Sequence, residues 1–170
     1  MTAQQDTGCV VEAYGRRVVV ARSGGDRISC KVRGRSLEAV AGDQVRVSLE
    51  ASDDEWTVIE RLPRRNVLCR SDSRGRTESI AANLDQLGVV VAARPACDPF
   101  IVDRYLAGAS YAGIATLLVV NKLDLPADAG DLSFVEPLRA IGIPVVQVSA
   151  HAGTGLDALI AVLSGHRTML

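Results

Sequence analysis

A chain of 170 residues, 48% apolar and 23% charged with a formal net charge of −1, has the composition of a globular protein of one or two small domains. That balance excludes a globally disordered chain and a general polyanion-coating protein, and the longest apolar runs, 87–93 and 114–120, fall far short of the ~20 residues a membrane-crossing helix needs. The start, Met1-Thr2-Ala3-Gln4-Gln5-Asp6, lacks the basic and apolar segments of a signal peptide, so a cytoplasmic address is expected.

Residues 1–65 read as short β-strands: 8–13, 17–21, 27–32, 44–49 and 55–61 are strand-length runs rich in Val, Ile and Thr. Turn signals separate them at Tyr14-Gly15, Ser23-Gly24-Gly25-Asp26 and Ala41-Gly42-Asp43. Five short strands fit a small closed barrel of the OB type, in which wrapping round removes exposed edges. An SH3-like barrel or a two-layer β-sandwich has the same sequence pattern. OB barrels often hold single-stranded nucleic acid on aromatic platforms and basic groups. Tyr14 and Trp56 are the aromatics of this stretch, thin support for stacking.

Residues 66–80 read as a basic linker. Six arginines (Arg61, Arg64, Arg65, Arg70, Arg74, Arg76) stand in residues 61–76 against one acid, Asp72, whereas acids outnumber bases from Gln86 onward. A basic stripe on a near-neutral protein suits docking on a defined nucleic-acid surface, and these six are the candidate RNA-binding residues. The plainer reading is a solvated connection.

From residue 81 the period changes. The continuous apolar run 87–93 predicts a strand buried on both faces of a parallel sheet. Apolar positions at Phe100, Ile101, Tyr105, Leu106 and Ala109 predict a helix over 99–111, followed by a second buried strand at 115–120. A helix over 133–141 starts at a capping Ser133 and ends at Gly142; a strand at 145–148 and a helix over 155–163 complete the pattern. Strand and helix in alternation give a parallel α/β sheet, which places ligands at the carboxyl ends of its strands.

Two loops stand at such ends. Asn121-Lys122-Leu123-Asp124 follows the second strand and has the form N-K-x-D, which recognises guanine in the GTPase superfamily. An ionised Asp accepts two hydrogen bonds from guanine's ring N–H and exocyclic amino group, a pair adenine cannot offer, and an unpaired desolvated carboxylate is costly. The Asn amide fixes loop and base, and the Lys stem can lie over the purine face. Ser149-Ala150 follows the next strand; there a Ser-Ala pair points a backbone N–H at guanine's O6 and holds the Asp. The plainer reading makes Asp124 and Ser149 ordinary helix caps. No G-x-x-x-x-G-K-[ST] phosphate loop occurs, and N-K-x-D comes after a single parallel strand, an order expected of a circular permutation whose phosphate loop follows the Ser-Ala segment. The four cysteines are too scattered for a zinc site, and His151 and His166 lie far from them; buried reduced thiols are expected.

Stretches almost end to end carry a resemblance: Val32-Arg33-Gly34, Ala41-Gly42-Asp43-Gln44-Val45, Pro63-Arg64-Arg65-Asn66-Val67-Leu68-Cys69-Arg70, Ile80-Ala81-Ala82-Asn83-Leu84-Asp85-Gln86, Asp103-Arg104-Tyr105-Leu106, Asn121-Lys122-Leu123-Asp124-Leu125 and Gly153-Thr154-Gly155-Leu156. The chain resembles the ribosome small subunit-dependent GTPase A family of circularly permuted bacterial GTPases. The resemblance implies an N-terminal OB-like barrel (1–65) contacting ribosomal RNA and, after the basic linker (66–80), a permuted α/β P-loop-NTPase-type domain (81–170). This second domain is expected to hold the guanine-recognition half alone and to be incomplete at its C-terminus, before the phosphate loop. It implies GTP hydrolysis stimulated by the small ribosomal subunit during late subunit maturation, and a further zinc-binding domain. Guanine recognition is carried onto Asn121, Lys122, Asp124, Ser149 and Ala150. No catalytic residue is assigned; GTP or GDP is the expected ligand, with Mg2+ expected only alongside the phosphate loop and no zinc site in this chain. The alternative is a non-catalytic RNA- or ribosome-binding module in which the barrel and the basic stripe carry the function. An incomplete sheet also predicts an unpaired edge along 87–93 and a tendency to associate.

Overall fold

Strands β1 (Gln4–Tyr14), β2 (Arg17–Arg22), β3 (Arg27–Val32), β4 (Gln44–Leu49) and β5 (Trp56–Arg61) close into a barrel in the order β1-β2-β3-β5-β4. The structure is a computed structural model that describes residues 4–34, 37–49, 55–71, 74–126 and 130–170. Closure is by the parallel β3–β5 pair and by the length of β1, which pairs with β4 over its first half and with β2 over its second. A register shift between Val10 and Glu12 bends β1 as it changes partner. Alternation sends Val18, Val20, Val45, Val47 and Val58 inward with Val10, Cys30 and Val32. Each fully buried valine of this set contributes about 1.5 kcal/mol or more. Trp56 packs against the same core, with the Arg22 guanidinium 5.2 Å from its ring centre.

The stretch expected as a linker is instead a hairpin. β6 (Val67–Ser71) pairs antiparallel with β7 (Thr77–Ala82), and barrel and hairpin together make one unit, Met1–Asn83. Backbone and side-chain contacts bind them, among them Ala82 N donating to Ala41 O at 2.9 Å. Asn83 Nδ2 donates to Gly42 O at 2.9 Å while Asn83 Oδ1 accepts from Arg65 N at 2.7 Å. Gly42, at φ +91, lies so close to the hairpin that a Cβ there would stand 1.9 Å from Ala82 O. The arginine-rich composition read as solvated chain because side-chain charge says nothing about backbone pairing. Asp72, the acid of the stripe, lies outside the described residues.

The second unit, Leu84–Leu170, contains β8 (Gln86–Ala92), α1 (Pro99–Tyr111), β9 (Ala115–Asn121), α2 (Val135–Ala140), β10 (Val145–Gln147), α3 (Leu156–Leu163) and β11 (Thr168–Met169). Its sheet is parallel, in the order β10-β9-β8-β11. β9 is buried on both faces. Leu118 and Val120 join Val91, Val102, Leu106, Val135 and Leu138 under α1 and α2, whereas Leu117 and Val119 meet Val148 and the α3 leucines on the other side. The fold class is thus an OB-like barrel followed by a parallel α/β sheet.

Three local expectations need correction. The edge of β8 is covered at its start alone: β11 pairs with it at Gln86 and Leu87, a contact too short to leave a periodic signal, and among the described residues no strand pairs with that side from Gly88 to Ala92. α2 starts at Val135 without a side-chain cap, because Ser133 N–H donates to Asp131 Oδ1 at 2.8 Å rather than Ser133 capping the helix. Of the four thiols only Cys30 is buried, and burial pushes it up to about 11; Cys69, on the outward side of β6, is exposed. Among the described residues no helix is long and apolar enough to cross a membrane.

Candidate functional site

The register of β10 on β9, Val145 opposite Leu118 and Gln147 opposite Val120, ends both strands at one level. Two backbone bonds continue the ladder past them, Val148 N to Val120 O at 2.8 Å and Leu123 N to Val148 O at 3.2 Å. The loops carrying Asn121, Lys122 and Asp124 and carrying Ser149 and Ala150 are therefore side by side. All five residues expected at the guanine site come together here.

Asn121 ties the loops. Its Oδ1 accepts from Lys122 N at 2.7 Å and from Ala150 N at 3.1 Å. Lys122 adopts φ +64, a left-handed backbone that costs a side-chain-bearing residue about 1 kcal/mol or more and is held by its neighbours' hydrogen bonds. Its Nζ donates to Arg94 O at 2.9 Å, so the aliphatic stem is drawn across towards the loop that follows β8. Ala150 N–H, expected to face a base, has an internal acceptor in Asn121 Oδ1.

Asp124 receives the Ser149 hydroxyl on Oδ1, and Ser149 Oγ in turn accepts from Ala152 N at 3.0 Å. The Ser149 hydroxyl, then the local backbone N–H, hold the Asp124 carboxyl below the usual carboxylate range, with His151 and Lys122 adding positive charge nearby. The carboxylate faces solvent while Ser149 is buried, only 1% exposed. Neither residue caps a helix: α3 starts after Gly155, and α2 starts at Val135. The plainer cap reading is not what these side chains do.

Ser149 is fixed from behind. Its N–H donates to Thr154 O at 2.9 Å, and Gly155, at φ +74, brings the chain so near β10 that a Cβ would stand 2.3 Å from Gln147 O. Sequence reasoning assigned no role to Arg94, whose contribution is a main-chain carbonyl and leaves no side-chain signal. His151 was legible only as the residue after Ser-Ala. Among the described residues no group of three or more His, Cys, Asp or Glu side chains forms a metal-holding cluster.

The candidate RNA-binding arginines do not form one free stripe. Arg64 is inward: its Nε and NH2 grip Asp43 Oδ1 and Oδ2 at 2.8 and 2.9 Å, and NH1 reaches Ser79 Oγ at 3.3 Å. Asp43 is fully buried and also accepts from Val40 N at 2.8 Å. The fork holds Arg64 above the usual guanidinium range and makes it a strut. Arg61 NH1 donates to Glu38 O at 3.0 Å. Arg65, Arg70, Arg74 and Arg76 are exposed; Arg65 also reaches Asn83 O, and Arg70 pairs with Glu78 at 3.0 Å.

A protein-family model described as RsgA GTPase matches residues 61–170. The small ribosomal subunit biogenesis GTPase RsgA of Pseudomonas aeruginosa (strain LESB58) is 37% identical over 166 residues, covering 95% of this chain and 48% of that protein. The protein of the same name from Bordetella pertussis is 38% identical over 172 residues, covering 100% of this chain and 56% of its own length. The chain thus spans about half the length of the curated relatives it matches. A crystal structure of YjeQ from Thermotoga maritima superposes with a TM-score of 0.67 at 27% identity, covering 96% of this chain and 58% of that one.

Proposed function

From the premise that the chain belongs to the RsgA GTPase family, we propose that its second unit recognises the guanine base of GTP or GDP. Asp124 accepts the ring N–H and exocyclic amino group, Lys122 covers the base face, and Asn121, Ser149 and Ala150 hold the loops in register. The observation that carries this reading is the bond of the buried Ser149 hydroxyl to Asp124 across two adjacent strand ends. That bond keeps the carboxylate charged and aimed, so that base binding need not order it. The relatives' name supports a role beside the small ribosomal subunit, and contact with its RNA is assigned to the exposed Arg65, Arg70, Arg74 and Arg76 of the hairpin segment.

Calorimetric titration with GDP and ADP tests the base reading. GDP is expected to bind and ADP to bind far more weakly. Asp124→Asn should lose about 10- to 100-fold in GDP affinity, the range for a hydrogen-bonded charge. The same variant should accept xanthosine diphosphate, whose 2-oxo group takes a bond from the Asn amide. Equal affinity for GDP and ADP would end the reading.

A further inference from the structure

Gly130 meets the end of the parallel sheet at a point that admits no side chain. A Cβ there would stand 2.2 Å from Ala93 O and 3.0 Å from the Ala93 carbonyl carbon, backbone atoms that cannot swing aside. Its φ lies outside the left-handed region, so space, and not backbone conformation, calls for glycine at this position.

The peptide it lies on leads to Lys122. β8 and β9 run in register with Ala92 opposite Asn121, so the chain leaving β8 passes beside the turn at Lys122. Lys122 Nζ crosses to Arg94 O at 2.9 Å. Gly130 and Lys122 therefore meet two consecutive carbonyl groups of one loop, those of Ala93 and Arg94. The far end of that loop is fixed too: Cys97 packs against the core beneath α1 and α2, and Asp98 Oδ1 accepts from Phe100 N at 2.9 Å. The segment after Gly130 rests on the same core through Leu132 and Phe134. Two segments seated on one core thus touch backbone to backbone at Gly130. A methyl group there must displace the 93–94 peptide, because the packing of Leu132 resists movement from the other side.

We propose that Gly130 is a positioning residue of the base site: by letting the chain lie directly on Ala93 it fixes the Arg94 carbonyl, and that carbonyl aims the Lys122 stem over the guanine plane. The proposal rests on the base-recognition reading and deepens it. A lysine stem has several rotatable bonds, and its Nζ bond to Arg94 O orders them before the base arrives, so that binding does not bear the whole ordering cost. Asp124 is ordered separately, by the Ser149 hydroxyl, so Gly130 acts on how firmly the base is covered and not on which base is chosen.

Lys31 and Lys122 are the two lysines of the chain, which gives a readout free of nucleotide. An amine attacks acetic anhydride only through a free lone pair, and Lys31, exposed and paired with Glu55, serves as the internal reference. At pH 8.5, Gly130→Ala should raise the ratio of Lys122 to Lys31 acetylation about three- to tenfold, the range for releasing one hydrogen bond, as read by peptide mass spectrometry. Calorimetry of the whole chain with GDP measures the consequence. Gly130→Ala and Lys122→Met, which keeps the stem but cannot donate to Arg94 O, should each weaken GDP binding about three- to tenfold. The double variant should bind no more weakly than Lys122→Met alone, since the two act through one contact. The preference for GDP over inosine diphosphate, which lacks the amino group assigned to Asp124, should stay as in the parent. Losses that multiply in the double variant, an unmoved acetylation ratio or a narrowed GDP preference would each overturn the proposal and make Gly130 a packing residue alone. A Gly130→Ala chain without a cooperative transition at 222 nm would overturn it as well, making the glycine a requirement of the fold. A parent that does not bind GDP ends the base reading, and the acetylation ratio then judges the Gly130 seat by itself.

Discussion

Arg64 stood among the candidate RNA contacts, yet its geometry makes it a support of the first unit, and Arg64→Ala tells the two roles apart. The substitution leaves the Asp43 carboxylate, fully buried, with Val40 N–H as its remaining partner of those described above. Removing one member of a buried pair costs about 3–5 kcal/mol. Arg64 is itself 15% exposed, so water can partly enter the space it vacates, and the lower end, about 3 kcal/mol, applies. For a unit of this size that lowers the melting temperature by about 12–24 °C. Arg64→Lys keeps the charge and loses the two-point grip, and should fall between. Trp56 is the single tryptophan and lies in the barrel, so urea unfolding followed by its fluorescence reports on the first unit. The described helices all lie in the second unit, and ellipticity at 222 nm follows that unit instead. The expected result is a fluorescence midpoint moved to lower urea with the ellipticity transition in place. Loss of RNA binding by Arg64→Ala with an unmoved Trp56 transition would refute the strut and restore the direct contact.

Ser149→Ala removes the leading cause of the lowered Asp124 titration, so NMR titration should find that carboxyl nearer its ordinary 3.8 in the variant than in the parent. Because the parent value is depressed, any stability Asp124 contributes is complete above 3.8 and is lost as pH falls through the folded value; guanine binding should be flat from about pH 5 upward in both proteins. Gly42→Ala should destabilise the first unit far more than Gly15→Ala: both have positive φ, but only at Gly42 does the methyl strike a backbone oxygen. Matching thermal shifts for the two would refute the close approach. Iodoacetamide at pH 8 should alkylate Cys69 in the folded protein and spare Cys30 until unfolding, as read by peptide mass spectrometry.

The barrel and the parallel sheet were legible because burial writes a period into them. β3, β4 and α1 were placed to the residue, since Gly, Asp or Pro punctuates each of them and a core-facing alternation fills it. The two loops proposed to hold guanine were legible for a related reason: they sit where an apolar strand stops, so the strand itself locates them. What stayed hidden has no such pattern. The β6–β7 hairpin is half charged on its surface and its pairing is carried by backbone groups. Arg64 looked like its neighbours because the sequence does not reveal that Asp43, separated from it by the whole of β4 and β5, is buried beside it. β11 is two residues long, below the length at which alternation has meaning.

Asn121 shows how such a site is held from the protein side. A single carbonyl oxygen receives the N–H of the next residue and that of Ala150, from the neighbouring loop. The first bond supports the left-handed turn at Lys122, and the second sets the spacing between the two loops. The turn at Lys122 in turn frees its side chain to cross to Arg94 O, and the spacing brings the Ser149 hydroxyl onto Asp124. Aspartate at position 121 would keep both acceptors but add a second carboxylate beside Asp124, and leucine would keep the size but lose both bonds. The amide is the side chain that organises the loops without adding a charge, which leaves Asp124 as the carboxylate of the proposed base site.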